Sequence, residues 1–262
     1  MYSVNTLCTL HSPILNSRGI TADCDGYAVV CCVEEEGVGW VVKRSQAGAG
    51  FAMLFSVDFK PSGFVANGTS FWIAHSKTIM EYNDTGECLQ SIPGPAKASF
   101  MEFLGDTLYF IAYNNKWCSA LYALYEHSET GKLLANHVEP SGGFAIFPAA
   151  QTLLFTNTSN NLCKLDLQSG ECRVLKVSSW LGGRLMSGND QLALLLVPED
   201  DGSSCYSCSA EGRLCQLMSV THSAVNEDFC LNSRGDLLFF DRAGNELPCL
   251  IGLTALLPPT KA

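Results

Sequence analysis

Basic charge is scarce in this chain of 262 residues, and long apolar runs are missing. Its 16 Lys and Arg stand against 26 Asp and Glu, a formal charge of −10 that repels a phosphate backbone, so no nucleic acid partner is expected. The longest apolar stretches, Tyr27–Val33 and Leu192–Val197, fall far short of the roughly 20 residues a membrane helix needs, so no membrane partner is expected either. Residues 1–11 have neither the basic nor the apolar segment of a secretory signal. No linker of low complexity interrupts the chain, and only 16% of it is charged, which excludes disorder as the main state. There is no P-loop, no dinucleotide fingerprint, no G-x-S-x-G elbow and no H-E-x-x-H, and the five histidines stand apart, so no cofactor is expected.

Cysteine, by contrast, is plentiful. Several of the thirteen sit inside apolar runs (Cys31, Cys32, Cys163, Cys215, Cys230), where the thiol packs as a small hydrophobe. With no signal segment visible, the expectation is a soluble protein in a reducing compartment, the cytoplasm. Cys205-x-x-Cys208 falls on an expected strand, where residues three apart point to opposite faces, so neither a metal site nor a redox pair is expected there.

The chain repeats itself six times. Each unit has an apolar run, a tight Gly/Asn/Asp turn and a second apolar run. The second runs start at Tyr27, Phe71, Leu108, Leu153, Leu192 and Leu237, steps of 44, 37, 45, 39 and 45 residues. The runs are short and rich in Val, Phe, Tyr and Leu, which signals strands. Turns at 23–26, 66–69, 104–106, 187–190 and 233–236 carry the residues that tight hairpins demand; only 148–151, with Pro and Ala, departs. A second turn ending in glycine recurs at 83–86, 128–131, 167–170 and 208–212. Two tight turns and one longer link per unit define four antiparallel strands, A to D. The expected fold is therefore all-β: a single domain over residues 1–262, a six-bladed β-propeller of four-stranded blades. The last unit lacks a D strand. Thr6-Leu7-Cys8-Thr9-Leu10 reads like Arg213-Leu214-Cys215-Gln216-Leu217, so the N-terminal strand is expected to complete that blade and close the ring. Small residues at the start of the A strands (Gly19, Gly63, Ser99, Gly143, Gly183) suit crowding around an axis.

The segment Arg18-Gly19-Ile20-Thr21-Ala22-Asp23-Cys24-Asp25-Gly26-Tyr27 resembles the A-to-B segment of NHL-repeat and regucalcin-like propellers. Ile79-Met80-Glu81-Tyr82-Asn83-Asp84-Thr85-Gly86 resembles their C-to-D segment. The resemblance implies the architecture. The N-terminal glutamate motif of regucalcin-like metal sites has no match in residues 1–18.

Function is expected where loops vary, on the B-to-C and D-to-A connections. These collect Glu34, Glu35, Glu36, Glu199, Asp200 and Asp201 from the first kind, and Glu139, Glu227 and Asp228 from the second, beside Trp117, Trp180 and His222. Clustered acid steers basic partners, so the leading expectation is a non-catalytic module that binds a protein or a basic peptide. Acidic loops that only keep an apolar protein in solution have the same composition. The alternative, of regucalcin or NHL type, is a metal-dependent hydrolase or lyase with its site at the channel mouth and carboxylates such as Asp228 holding the ion. No resident metal is assigned, because no loop has EF-hand spacing.

Overall fold

The computed structural model describes residues 4–9, 19–33, 39–46, 50–113, 119–125, 128–176, 184–187, 192–199, 202–220, 229–231, 237–241 and 249–253. All regular structure among them is strand. In chain order these are β1 (Val4–Thr9), β2 (Ile20–Ala22), β3 (Ala28–Val33), β4 (Trp40–Gln46), β5 (Gly50–Val57), β6 (Gly63–Asn67), β7 (Ser70–His75), β8 (Thr78–Tyr82), β9 (Cys88–Pro93) and β10 (Lys97–Leu104). There follow β11 (Thr107–Tyr113), β12 (Ser119–Leu124), β13 (Lys132–Asn136), β14 (Pro140–Phe147), β15 (Thr152–Asn157), β16 (Leu162–Asp166) and β17 (Cys172–Lys176). The last are β18 (Arg184–Ser187), β19 (Leu192–Glu199), β20 (Gly202–Ser209), β21 (Leu214–Val220), β22 (Phe229–Leu231), β23 (Leu237–Asp241) and β24 (Cys249–Leu253). Contacts divide the chain into two compact units, Met1–Phe103 with Glu227–Ala262, and Leu104–Asn226.

In the first unit, β2-β3-β4-β5 and β6-β7-β8-β9 form two antiparallel sheets, and β1-β24-β23-β22 forms a third. Strand β3 is buried along almost its whole length because both of its faces are covered. Ala28, Val30 and Cys32 pack with Ile20, Val41, Cys230 and Leu238, while Val29 and Cys31 pack with Trp40, Phe55, Phe64, Phe71 and Ile73. The period of two thus sends adjacent Cys31 and Cys32 into different cores. Phe55 lies 5.9 Å from Phe71 and 5.5 Å from Tyr82, ring centre to ring centre, at the heart of the second core. In the second unit, β14 to β21 form one eight-stranded sheet in the order β17-β16-β15-β14-β18-β19-β20-β21, with Phe147, Leu154, Leu162, Leu185 and Leu195 in its core. Strands β10-β11-β12-β13 make a further four-stranded sheet.

Among the described residues six closed blades are not what forms. Hydrogen bonding gathers the described strands into five sheets, and the sheet of β10–β13 curls into an open half-barrel of 210° with a gap of 11 Å. Two expected blades merge because β14 meets β18 in parallel at Gly143 and Leu185. Gly143 sits at φ 97°, and a Cβ there would stand 2.5 Å from the Leu185 carbonyl oxygen. Only a residue without a side chain lets the two backbones come so close. Gly63 approaches the Ser99 carbonyl in the same way, and Gly19 that of Phe64. Periodicity in a sequence counts hairpins, whereas this joining depends on residues more than forty positions apart.

One device recurs in every set of four strands. Along the outermost strand the paired residues step from Phe55 to Met53, Gln90 to Cys88, Ala135 to Leu133, Lys176 to Val174, Met218 to Gln216 and, in β1, Thr6 to Cys8. The residue passed over is leucine each time: Leu54, Leu89, Leu134, Leu175, Leu217 and Leu7. Such a bulge bends the strand and steepens its twist. It also sets the alignment of the N-terminal strand, which pairs with β24: Leu7 corresponds to Leu217, three positions away from the match that the letters suggested.

The turns follow side-chain chemistry. Asn83 Oδ1 accepts the N–H groups of Thr85 (3.1 Å) and Glu87 (2.9 Å), Asn157 Oδ1 those of Ser159 and Asn161 (both 3.0 Å), and Asp166 Oδ1 those of Gln168 (3.0 Å) and Ser169 (2.7 Å). The turn at 148–151, which lacks glycine, places Gln151 at φ 48° instead.

Candidate functional site

The two edges of the sheets differ in how their polar groups are used. At the edge of the tight turns, carboxylates serve the turns themselves. Asp23, buried, accepts the N–H groups of Asp25 (3.0 Å) and Tyr27 (2.9 Å) through Oδ1, while its Oδ2 accepts Arg44 Nε. Arg44 Nη2 donates to Asp25 at 2.6 Å, and the guanidinium lies 4.5 Å from the centre of the Tyr27 ring. Desolvation lowers the affinity of Arg44 for its proton, but bonds to Asp23 and Asp25 outweigh it and the net direction is up. This cluster was not foreseen. Its signal was an arginine on the strand opposite an Asp-x-Asp turn, legible only once β3 and β4 are in register.

At the opposite edge, where function was expected, the first unit presents residues 58–62, 75–77 and 94–96. His75 Nδ1 lies 3.0 Å from the Lys60 carbonyl oxygen, so Nδ1 carries the proton, and Nε2 accepts from Ser76 Oγ at 3.2 Å. The ring rests against Phe59 at 4.6 Å. Both nitrogens are therefore committed to holding the turn that follows His75, the last residue of β7. The Lys77 carbonyl accepts the N–H of Gly94 at 2.7 Å, tying a third loop to this one. In the second unit the same edge carries Glu139, exposed, next to Val138, whose N–H donates to Ser119 at 3.1 Å.

Glu34, Glu35, Glu36, Trp117, Trp180, Asp200, Asp201, His222 and Asp228 lie outside the described residues. Of Glu199 only the backbone is described, at the end of β19 opposite Gly202. The described structure therefore brings none of the predicted site residues together. Among the described residues no three His, Cys, Asp or Glu side chains gather as a metal ion would require. Cys205 and Cys208 lie on β20, fully buried, and burial pushes each thiol up to about 12, which leaves them unreactive.

No protein-family description matches the chain, and no curated protein matches it. Solved structures do. A gluconolactonase from Xanthomonas campestris matches 94% of this chain over 88% of its own, at 14% identity and a TM-score of 0.66. Virginiamycin B lyase from Staphylococcus aureus matches 97% of this chain over 100% of its own, at 12% identity and 0.55. Nidogen, solved in complex with laminin, matches 80% over 82%, at 14% identity and 0.57. At such identities the likeness establishes the fold alone, a distant resemblance to several β-propeller and solenoid structures. The expectation of a cytoplasmic protein is not upheld by these comparisons: TolB and BamB, also among the folds matched, are themselves proteins from outside the cytoplasm, and they share with this chain the fold alone. Among the described residues no helix is long and apolar enough to cross a membrane.

Proposed function

We propose that the chain is a hydrolase or lyase whose site is carried by the B-to-C and D-to-A loops. The observation that supports this is how well its fold superposes on two gluconolactonases. Each gives a TM-score of 0.66, over 88% and 92% of its own chain, against 0.58 for two TolB structures and 0.57 for nidogen. Opening a lactone ring needs a base beside the attacking water and a donor toward the developing oxyanion. For these loops the sequence offers carboxylates in quantity, Asp228 foremost, with Glu34–Glu36 and Asp200–Asp201 on other loops of the same kinds. Among the described residues no three carboxylates or other ligands gather around a point, and the loop carboxylates named here lie outside those residues. The test is the metal content of the purified protein, with and without Asp228→Asn. A stoichiometric divalent ion lost in the variant supports a carboxylate-held metal enzyme; metal-free protein that leaves a lactone panel untouched removes the proposal.

A second reading, a binding module for basic segments, draws on the acidic loops and on the likeness to nidogen, itself solved bound to laminin. Charge reversal of Glu199, Asp200 and Asp201 to Lys then weakens capture of a basic peptide, steeply so at low salt. Capture that is unchanged by the reversal excludes it.

A further inference from the structure

Cys163 and Cys172 meet across the hairpin of β16 and β17. In the register, Cys163 stands opposite Val174 and Cys172 opposite Leu165, so the two cysteines are diagonal neighbours on one face of the pair. Cys163 Sγ donates to the Asn161 carbonyl at 3.6 Å, and the two thiols are near enough to bear on each other's protonation. Cys163 is buried at 3% exposure, while Cys172 is exposed to solvent. Strand β17 is the edge of the eight-stranded sheet, and the bulge at Leu175 lies just beyond the pair. Diagonal residues stand about 7–8 Å apart at Cα, slightly more than the span of up to about 6.8 Å that a disulfide tolerates. Closing the difference takes a shift of about an ångström, and an edge strand with neighbours on one side can make it. The hairpin is held by Asp166, whose carbonyl accepts the Gly170 N–H at 2.9 Å and whose N–H donates to Glu171 at 3.0 Å, so the two strands stay in register while their side chains react.

We propose that Cys163 and Cys172 are a reversible redox pair that clasps the edge strand β17 to β16, oxidised by a small disulfide of the glutathione class. Exposed Cys172 is the entry point. It loses its proton to water, and its thiolate attacks one sulfur of the small disulfide, forming a mixed disulfide and expelling one small thiolate. Cys163 then loses its proton and attacks Cys172 Sγ, forming the protein disulfide and expelling the second small thiolate. The pair gives up two electrons and two protons, and one small disulfide becomes two thiols. Burial pushes the Cys163 thiol up to about 11 and also raises that of Cys172, so the clasp closes faster as pH rises above neutrality.

The experiment incubates the folded full chain with oxidised glutathione at pH 7 and at pH 8.5. Remaining thiols are then blocked with an alkylating agent, and tryptic peptides are analysed by mass without reduction. Trypsin cuts after Lys164 and Arg173, which parts the two cysteines, so the clasp appears as peptide 133–164 joined to peptide 165–173. The expected result is that joined pair, more abundant at the higher pH and abolished by dithiothreitol. In Cys163→Ser, Cys172 stops at the mixed disulfide with glutathione; in Cys172→Ser, altered at an exposed site, Cys163 is recovered alkylated only after denaturation. Native protein in which Cys172 ends as the mixed disulfide, joins a different cysteine or stays unmodified at both pH values overturns the proposal.

Discussion

Replacing Gly143 by alanine tests the joining of β14 to β18 at its narrowest point. The new Cβ would stand 2.5 Å from the Leu185 carbonyl oxygen, a backbone atom that cannot swing aside, and the residue would keep φ at 97°. Holding a non-glycine residue in such a conformation costs about 1–3 kcal/mol. Parting the strands to relieve the overlap adds the loss of a buried backbone contact, about 1 kcal/mol. Gly170 supplies the control: its φ is 74°, but a Cβ there meets nothing within 4 Å, so Gly170→Ala carries strain without the clash. Urea unfolding followed by tryptophan fluorescence measures both. With a slope of about 3 kcal/mol per molar, Gly143→Ala should lower the midpoint by about 1 M, and Gly170→Ala by about 0.3 M less. Equal midpoints for the two variants would refute the close approach.

Other outcomes follow from the same geometry. Arg44→Met should cost about 1–3 kcal/mol because it leaves the buried Asp23 carboxylate short of a partner, whereas Asp25→Asn, at a side chain 66% exposed, should cost less than about 1 kcal/mol in the same unfolding assay. Stability should fall between pH 9 and 12. In that window unfolded thiols ionise from about 9 while Cys205 and Cys208 hold their protons to about 12, so the folded chain binds more protons and each rise in pH favours unfolding. Cys205→Ala with Cys208→Ala should flatten that slope; an unchanged slope means the thiols are not buried. Leu175→Ala should cost about 1–2 kcal/mol, since Leu175 is half-buried against the core of the eight-stranded sheet and fills the space beside Gly212. Deleting residues 1–12 removes β1 and leaves β24 an open edge, which should cost several kcal/mol; a truncated chain of equal stability would contradict that pairing.

The local structure was legible because turn chemistry is local. Gly68, Gly86, Gly105, Gly170 and Gly212 all take positive φ in turns that their neighbours in sequence already marked. Where the chemistry was missing, at Pro148–Gln151, the turn still forms, because the strands on either side dictate it and Gln151 tolerates the left-handed conformation. Two features were not legible. The bulged leucines look like any other apolar residue in an alternating strand, and only pairing reveals that Leu7, Leu54 and Leu217 are passed over. The number of sheets depends on contacts such as Gly143 with Leu185, which no window of sequence contains. The site was less legible than the fold because single acidic residues on loops carry no spacing rule. His75 is the counterexample: its isolation in sequence fits a ring whose two nitrogens are both committed to Lys60 and Ser76.

The central claim, that this scaffold carries an enzyme site on its acidic loops, is tested most directly by turnover. Initial rates of lactone hydrolysis are compared between the full-length protein and Asp228→Asn at matched stability, each with and without added divalent ions. The account predicts hydrolysis above the uncatalysed rate that falls at least tenfold in the variant. Background rates for both proteins under every ion condition would contradict it.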